Sequence, residues 1–243
     1  MRKRLRQQTL HNPLHRRDDS SGGDVWKKYV RKNHSLDMGF PKIYLDSLFD
    51  REIYDVGPIS HLNAGMMPSD LALLRGLASL YTGCKYFEIS KRRSESIGNM
   101  AAIAKECYAL NRPIEEMRKK GVRNKYMYMM GSYSRAMDNV VILSGDSQTF
   151  DFSTLGKKFD IVFINSGRGY NRVLGDTRKA FEYLVHEDST VVWHDYSYFP
   201  EDVRYEVMAG ILDATDPVHR EQLFFVSKTK CAIFLRDKFK DLG

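Results

Sequence analysis

Two periods of apolar and polar residues take turns along this chain, and together they predict strands and helices in alternation. Short β-rich apolar runs stand at 85–89, 108–110, 140–143, 161–164 and 190–193. Each ends in polar residues and leads into helix-compatible sequence, as the parallel strands of an α/β sheet do. Leu71, Leu74, Leu77, Ala78 and Tyr81 fall at helical spacing over 71–81, behind an N-cap offered by Pro68-Ser69-Asp70. Ile97, Met100, Ala101, Ala104 and Cys107 form a second stripe over 95–107. Helices are also predicted over 113–120, 125–137, 173–184 and 200–212, while 40–49 and 58–68 read as a lead-in with turns. The last apolar runs, 222–226 and 231–235, flank Ser227-Lys228-Thr229-Lys230 and predict an antiparallel hairpin. The pattern implies an α/β fold: a doubly wound, mostly parallel, seven-stranded Rossmann-like sheet with a C-terminal antiparallel hairpin.

Charge divides the chain differently. The 243 residues carry a net charge of +7, but residues 1–34 hold ten Lys or Arg against three acids. The remainder is balanced at 28 basic and 28 acidic residues, so the basic character belongs to one end. We therefore expect a basic, flexible extension over 1–35, loosely helical at most, and one α/β domain over 36–243. Nucleic acid is a disfavoured partner, apart from weak contact through that tail. The first residues contain no apolar h-region, and no run approaches membrane-spanning length, so a cytoplasmic protein is expected. Cys84, Cys107 and Cys231 are odd in number, far apart and set among apolar residues, which suits buried free thiols.

In such sheets a ligand lies outside the carboxyl ends of the strands, so the strand-end turns carry the candidate chemistry. The first strand runs into Ser90-Lys91-Arg92-Arg93-Ser94, the third into Ser144-Gly145-Asp146-Ser147. The fourth runs into Asn165-Ser166-Gly167-Arg168, the fifth into His194-Asp195-Tyr196. With Tyr86-Phe87-Glu88-Ile89, Glu95-Ser96, Asp160-Ile161-Val162-Phe163-Ile164 and Val191-Val192-Trp193, these segments resemble the class I S-adenosylmethionine-dependent methyltransferases from about Pro68 to Leu235. The likeness is greatest to the small-molecule O-methyltransferase-like branch.

The resemblance implies a Rossmann-like methyltransferase fold and S-adenosylmethionine as cofactor. It implies cofactor contacts at Glu88, Ser90, Ser94, Asp146, Ser147 and Asn165, with His194 and Asp195 acting on a small-molecule acceptor. Two motifs depart from the family. Ser90 and Ser94 stand where members carry the glycines of Glu-Ile-Gly-x-x-x-Gly, and a Cβ there crowds a ligand. Asn165-Ser166-Gly167-Arg168 stands where members read Asp-Gly-Asp-His, removing two carboxylates and an imidazole. Metal-using relatives hold a divalent cation with an Asp after each of the fourth and fifth strands. Here Asp195 has only the neutral Asn165 as counterpart, so a divalent metal is disfavoured.

The residues leave alternatives open. Glu88 is a cofactor-positioning acid or simply a strand-end acid; Asp146 is an adenine-edge contact or a turn cap. His194 is a general base, with an ordinary pKa near neutrality, or a strand-end cap. Trp193, Tyr196 and Tyr198 form an acceptor pocket or plain packing, and Lys91, Arg92 and Arg93 form an anion site or a solvated turn. The leading expectation is methyl transfer to an oxygen or nitrogen of a small acceptor. The alternatives are a catalytically silent methyltransferase-fold protein with a binding or scaffolding role, and a phosphate-ligand binding module. A nicotinamide dehydrogenase is disfavoured because no G-x-G-x-x-G follows the first strand.

Overall fold

The computed structural model describes residues 20–49, 65–90, 95–119, 121, 137–199 and 201–236. Eight strands form one sheet among them: β1 (Lys42–Ile43), β2 (Lys85–Ser90), β3 (Glu106–Asn111), β4 (Val140–Ser144), β5 (Phe159–Asn165), β6 (Val185–Trp193), β7 (Leu223–Val226) and β8 (Ala232–Phe234). Their spatial order is β1-β7-β8-β6-β5-β2-β3-β4. β8 runs antiparallel to both neighbours, β6 and β7; the other pairings are parallel. A parallel sheet closed by a late antiparallel pair is the expected Rossmann-like architecture, with one strand beyond the seven expected.

That additional strand, β1, comes from the stretch read as a lead-in. Lys42 and Ile43 pair with Phe225 and Val226, a two-residue contact too short to leave a periodic signal. Among the described residues six α-helices flank the sheet: α1 (Ser20–His34), α2 (Pro68–Ser79), α3 (Glu95–Ala101), α4 (Ile114–Lys119), α5 (Tyr170–Lys179) and α6 (Tyr205–Ala214). The predicted helix over 125–137 lies outside the described residues. The helix predicted over 95–107 stops at Ala101, because 106–111 pair with β2 on one side and β4 on the other. Cys107, the last residue of the expected stripe, belongs to β3.

Alternation along β2 explains how both faces are covered. Tyr86 packs with Cys107, Ile161, Phe163 and Ile233 beneath Leu73, Leu74 and Leu77 of α2 and Ile97 and Met100 of α3. Phe87 and Ile89 face the other way, into a cluster with Val162, Trp193, Val173 of α5 and Val207 and Met208 of α6. Strands buried on both faces need continuous apolar runs, as these have. Cys84, Cys107 and Cys231 are buried and free, and burial pushes the Cys84 thiol up to about 12.

The N-terminal segment differs most from expectation. Residues 1–19 lie outside the described residues, but 20–34 form a docked helix. Val30 is fully buried, and Trp26 stacks on Tyr170 with ring centroids 4.8 Å apart. Asp213 of α6 accepts from the Tyr29 and Tyr170 hydroxyls, each at 2.6 Å, and faces His34 Nε2 at 2.8 Å. Trp26, Tyr29, Val30 and His34 follow helical spacing, but intervening lysines and arginines mask the stripe in composition. No helix of the described residues is long and apolar enough to cross a membrane.

Candidate functional site

The order of the sheet reverses between β2 and β5. From β2 the chain moves outward through β3 and β4, then returns to β5 and moves outward the other way. Such a reversal opens a crevice at the carboxyl ends of the two central strands. Their last residues, Ser90 and Asn165, are register partners, and Ser90 is also level with Asn111 of β3. Asn111 in turn is level with Ser144, and His194 N donates to Ile164 O at 3.1 Å. The pairing thus brings the ends of five strands to one edge.

Ser90 is buried within β2, in extended backbone that any residue adopts, so a left-handed strain does not arise there. What remains is its Cβ at the crevice. Ser94 and the cations Lys91, Arg92 and Arg93 lie outside the described residues. Glu88 points into the interface between sheet and α3 rather than out of the strand end. Its Oε2 accepts from the Tyr86 hydroxyl at 2.8 Å. Burial raises its carboxyl to about 7, although hydrogen bonds from Ser96 and Tyr86 pull the other way.

After β4, Asp146 is held from two sides. Its Oδ1 accepts from Gln148 N at 3.1 Å, capping the turn. The same carboxylate receives Arg172 of α5 through Nη1 at 2.8 Å and Nη2 at 3.2 Å. That guanidinium holds the Asp146 carboxyl down at about 2. Arg172 Nη1 also reaches Ser147 Oγ at 3.2 Å. Ile89, Ser90, Leu110, Arg112, Gly145, Asp146, Ser147, Ser166 and Arg172 line a cavity of about 10 Å³ here, room for one water molecule. Behind it Asp176 is buried, with its carboxyl raised by burial against the pull of Ser166, Ser147, Arg172 and Gln148. Arg172, Asp176 and Lys179 lie one helical turn apart on α5, a polar stripe that bonds the turn after β4.

The acceptor-side candidates are equally engaged. Asp195 follows β6 with φ at 62°, a left-handed conformation costing a β-carbon residue about 1–2 kcal/mol. Arg204 Nε holds its carbonyl at 3.0 Å. Its carboxylate accepts from Arg168 Nε at 2.8 Å. Burial raises this carboxyl, but the charges of His194, Arg168 and Arg204 and the Arg168 hydrogen bond outweigh burial and hold it at about 2. His194 is buried, with Nε2 3.1 Å from Asp70 Oδ2. Burial lowers its pKa, yet the Asp70 hydrogen bond and charge more than reverse this, so it stands raised. An imidazole enclosed in this way, with Nε2 against Asp70, is not an accessible base.

The aromatic residues resolve toward packing. Trp193 is buried and donates Nε1–H to Thr177 Oγ1 at 2.8 Å. Tyr196 is buried between Phe40 and Phe225, and Tyr198 lies under the Arg204 guanidinium at 3.5 Å. Among the described residues no group of three or more His, Cys, Asp or Glu is arranged to hold a metal ion. Local sequence does not disclose the partners of these residues: Asp70 for His194, Arg168 for Asp195 and Arg172 for Asp146.

By residue type the lining matches the adenosine side of S-adenosylmethionine, but the cavity admits only a water molecule and Arg172 already engages Asp146. Ile89 and Leu110 offer apolar walls, and Asp146 and Ser147 offer polar contacts for a base edge. The ribose side is less suited, since β3 ends in Asn111 and Arg112 rather than a carboxylate.

No protein-family model and no curated protein matches this chain. Solved structures do. YcgJ from Bacillus subtilis is 14% identical, with 51% of this chain and 48% of that one covered at a TM-score of 0.36. CalS10, an amino pentose methyltransferase from Micromonospora echinaspora, is 14% identical over 55% of this chain and 52% of that one, TM-score 0.39. The chain thus spans about half the length of each of these two. Fibrillarin from Aeropyrum pernix, solved with S-adenosylmethionine bound, is 12% identical over 68% of this chain and 72% of that one, TM-score 0.45.

Proposed function

We propose that this chain transfers a methyl group from S-adenosylmethionine to an oxygen or nitrogen of a small acceptor, in the crevice outside the carboxyl ends of β2 and β5. The observation that carries this reading is the reversal of strand order between those strands, with Ser90 and Asn165 ending in register beside it. Asp146 and Ser147 would hold the adenosine, Ser90 and Asn165 would line the floor, and Glu88 would brace the start of α3 from below. S-adenosylmethionine supplies an electrophilic methyl group on a sulfonium.

The protein's own contribution is alignment of donor and acceptor. Asp195, ionised above about pH 2, accepts a hydrogen bond from the acceptor's N–H or O–H and orients it. His194, enclosed against Asp70, helps Arg168 and Arg204 keep Asp195 ionised and is not placed to take a proton from the acceptor. Without an accessible base, the reading favours an acceptor already nucleophilic at neutral pH, such as a weakly basic amine, whose N–H donates to Asp195 and whose surplus proton passes to solvent after transfer. One specific observation favours the second reading, a catalytically silent binding protein: Asp146 and Asp195 are both already paired with arginines. The phosphate-ligand reading rests on Lys91, Arg92 and Arg93, outside the described residues.

Calorimetric titration with S-adenosylmethionine and S-adenosylhomocysteine separates the two readings. Micromolar binding of both supports methyl transfer. Absence of heat at millimolar ligand refutes it and leaves the silent protein.

A further inference from the structure

Asp70 lies at the start of α2, 124 residues from the strand end it reaches. It is fully buried, and its carboxylate gathers three separate pieces of chain. Oδ2 accepts from Met67 N at 2.7 Å, closing the first turn of α2, and faces His194 Nε2 at 3.1 Å. Oδ1 accepts from Lys230 N at 2.8 Å, in the turn between β7 and β8, with Cys231 Sγ at 3.7 Å. A carboxylate with no access to water is costly unless it is both paired and hydrogen-bonded.

On the far side of the ring, His194 Nδ1 is buried and makes no hydrogen bond. It lies 3.8 Å from Asp195 Oδ1, too long for a hydrogen bond but close enough for strong attraction. Phe163 meets the ring edge-on, with centroids 6.1 Å apart. Each ring nitrogen therefore faces a carboxylate. A neutral imidazole donates from one nitrogen only, whereas the doubly protonated ring donates toward both.

We propose that Asp70 is a positioning residue: through His194 it sets the placement and charge of the Asp195 carboxylate at the acceptor side of the crevice. This rests on the methyl-transfer reading above. The charged and titratable groups involved are His194, Lys230 and Cys231 around Asp70; Asp70, Asp195 and Lys230 around His194; and His194, Arg168 and Arg204 around Asp195. A helix cap alone would need neither the imidazole nor its second carboxylate.

Site-resolved NMR titration of the full chain, with labelled histidine and aspartate, tests this. In the wild type His194 stays protonated through neutral pH. Asp70→Asn lowers its midpoint by about one to three pH units, the size of effect an adjacent opposite charge exerts. The Asp195 carboxyl then titrates above its position of about 2. His194→Gln leaves Asp70 bonded to Met67 and Lys230, and raises the Asp195 midpoint as well; it decides the matter alone if Asp70→Asn does not fold. A wild-type His194 that is neutral at pH 7, or an Asp195 midpoint unmoved in His194→Gln, overturns the proposal. Failure of the wild type to bind S-adenosylmethionine by calorimetry sinks the methyl-transfer reading instead, and does not move these midpoints.

Discussion

Arg172 forks onto both carboxylate oxygens of Asp146, at 2.8 and 3.2 Å, and so ties helix α5 to the turn after β4. The pair occupies the groups that an adenine edge would use. Arg172→Ala should therefore release Asp146 and tighten S-adenosylmethionine binding several-fold by calorimetry; unchanged or weaker binding would show that Arg172 does not compete with the ligand. The stability effect should be below about 1 kcal/mol, since the pair is partly solvated. Asp146 at about 2 lies below its ordinary 3.8, so its contribution is present above pH 3.8 and lost as pH falls toward 2. The variant should lack that acid-side loss.

Glu88 shifts in the opposite sense. Its carboxyl ionises at about 7 in the fold against an ordinary 4.5. Between those values the folded chain keeps a proton that the unfolded chain releases. Stability is thus full below pH 4.5 and declines as pH rises through the window to 7, by up to about 3 kcal/mol. Glu88→Gln should gain that amount relative to wild type between pH 5 and pH 8 in denaturant titrations. Parallel pH profiles for the two proteins would show that Glu88 is not desolvated.

Ser90→Gly tests the Cβ at the crevice. The serine is in extended backbone, so glycine relieves no strain and should cost about 0.5–1 kcal/mol in chain entropy. Affinity for S-adenosylmethionine should nevertheless rise, because the only atoms removed are those beside the ligand. A variant that loses stability without gaining affinity would place the obstruction elsewhere.

Helix α1 should behave as part of the domain. Burial of Val30 alone is worth about 1.5–3 kcal/mol, and the Trp26–Tyr170 stack adds about 0.5–1.5. Deleting residues 1–34 should lower the melting temperature by roughly 6–12 °C, the shift that about 3 kcal/mol produces in a chain of this size. Deleting 1–19 alone provides the control. Equal melting temperatures for the two truncations would mean that α1 does not hold to α6.

Much of the framework was readable in the residue pattern. The apolar runs at β2, β5 and β6 and the stripe of Leu71, Leu74 and Leu77 announce their elements, because strands covered on both faces and helices covered on one leave unmistakable periods. The turn residues Asp146, Asn165, His194 and Asp195 were readable as a set for the same reason: in a parallel sheet, strand ends collect at one edge. Pairings across the chain were not readable. Asp70 reaches His194 across 124 positions and Arg172 reaches Asp146 across 26, and no local pattern encodes such contacts. The docking of α1 was hidden because its apolar stripe is interleaved with lysine and arginine, and composition averages the two faces together.

The sequence by itself determined the layered α/β fold, the position of the crevice and the residue types at its rim, since these follow from local periodicity and the geometry of parallel strands. Tertiary structure decided what those residues are able to do. His194 reads as a base from its ordinary pKa, but it is enclosed, with Nε2 turned to Asp70 and away from solvent. Asp195 and Asp146 read as site acids, but Arg168 and Arg172 pair with them. The state of an ionisable group depends on the charges and the solvent around it, and folding supplies both.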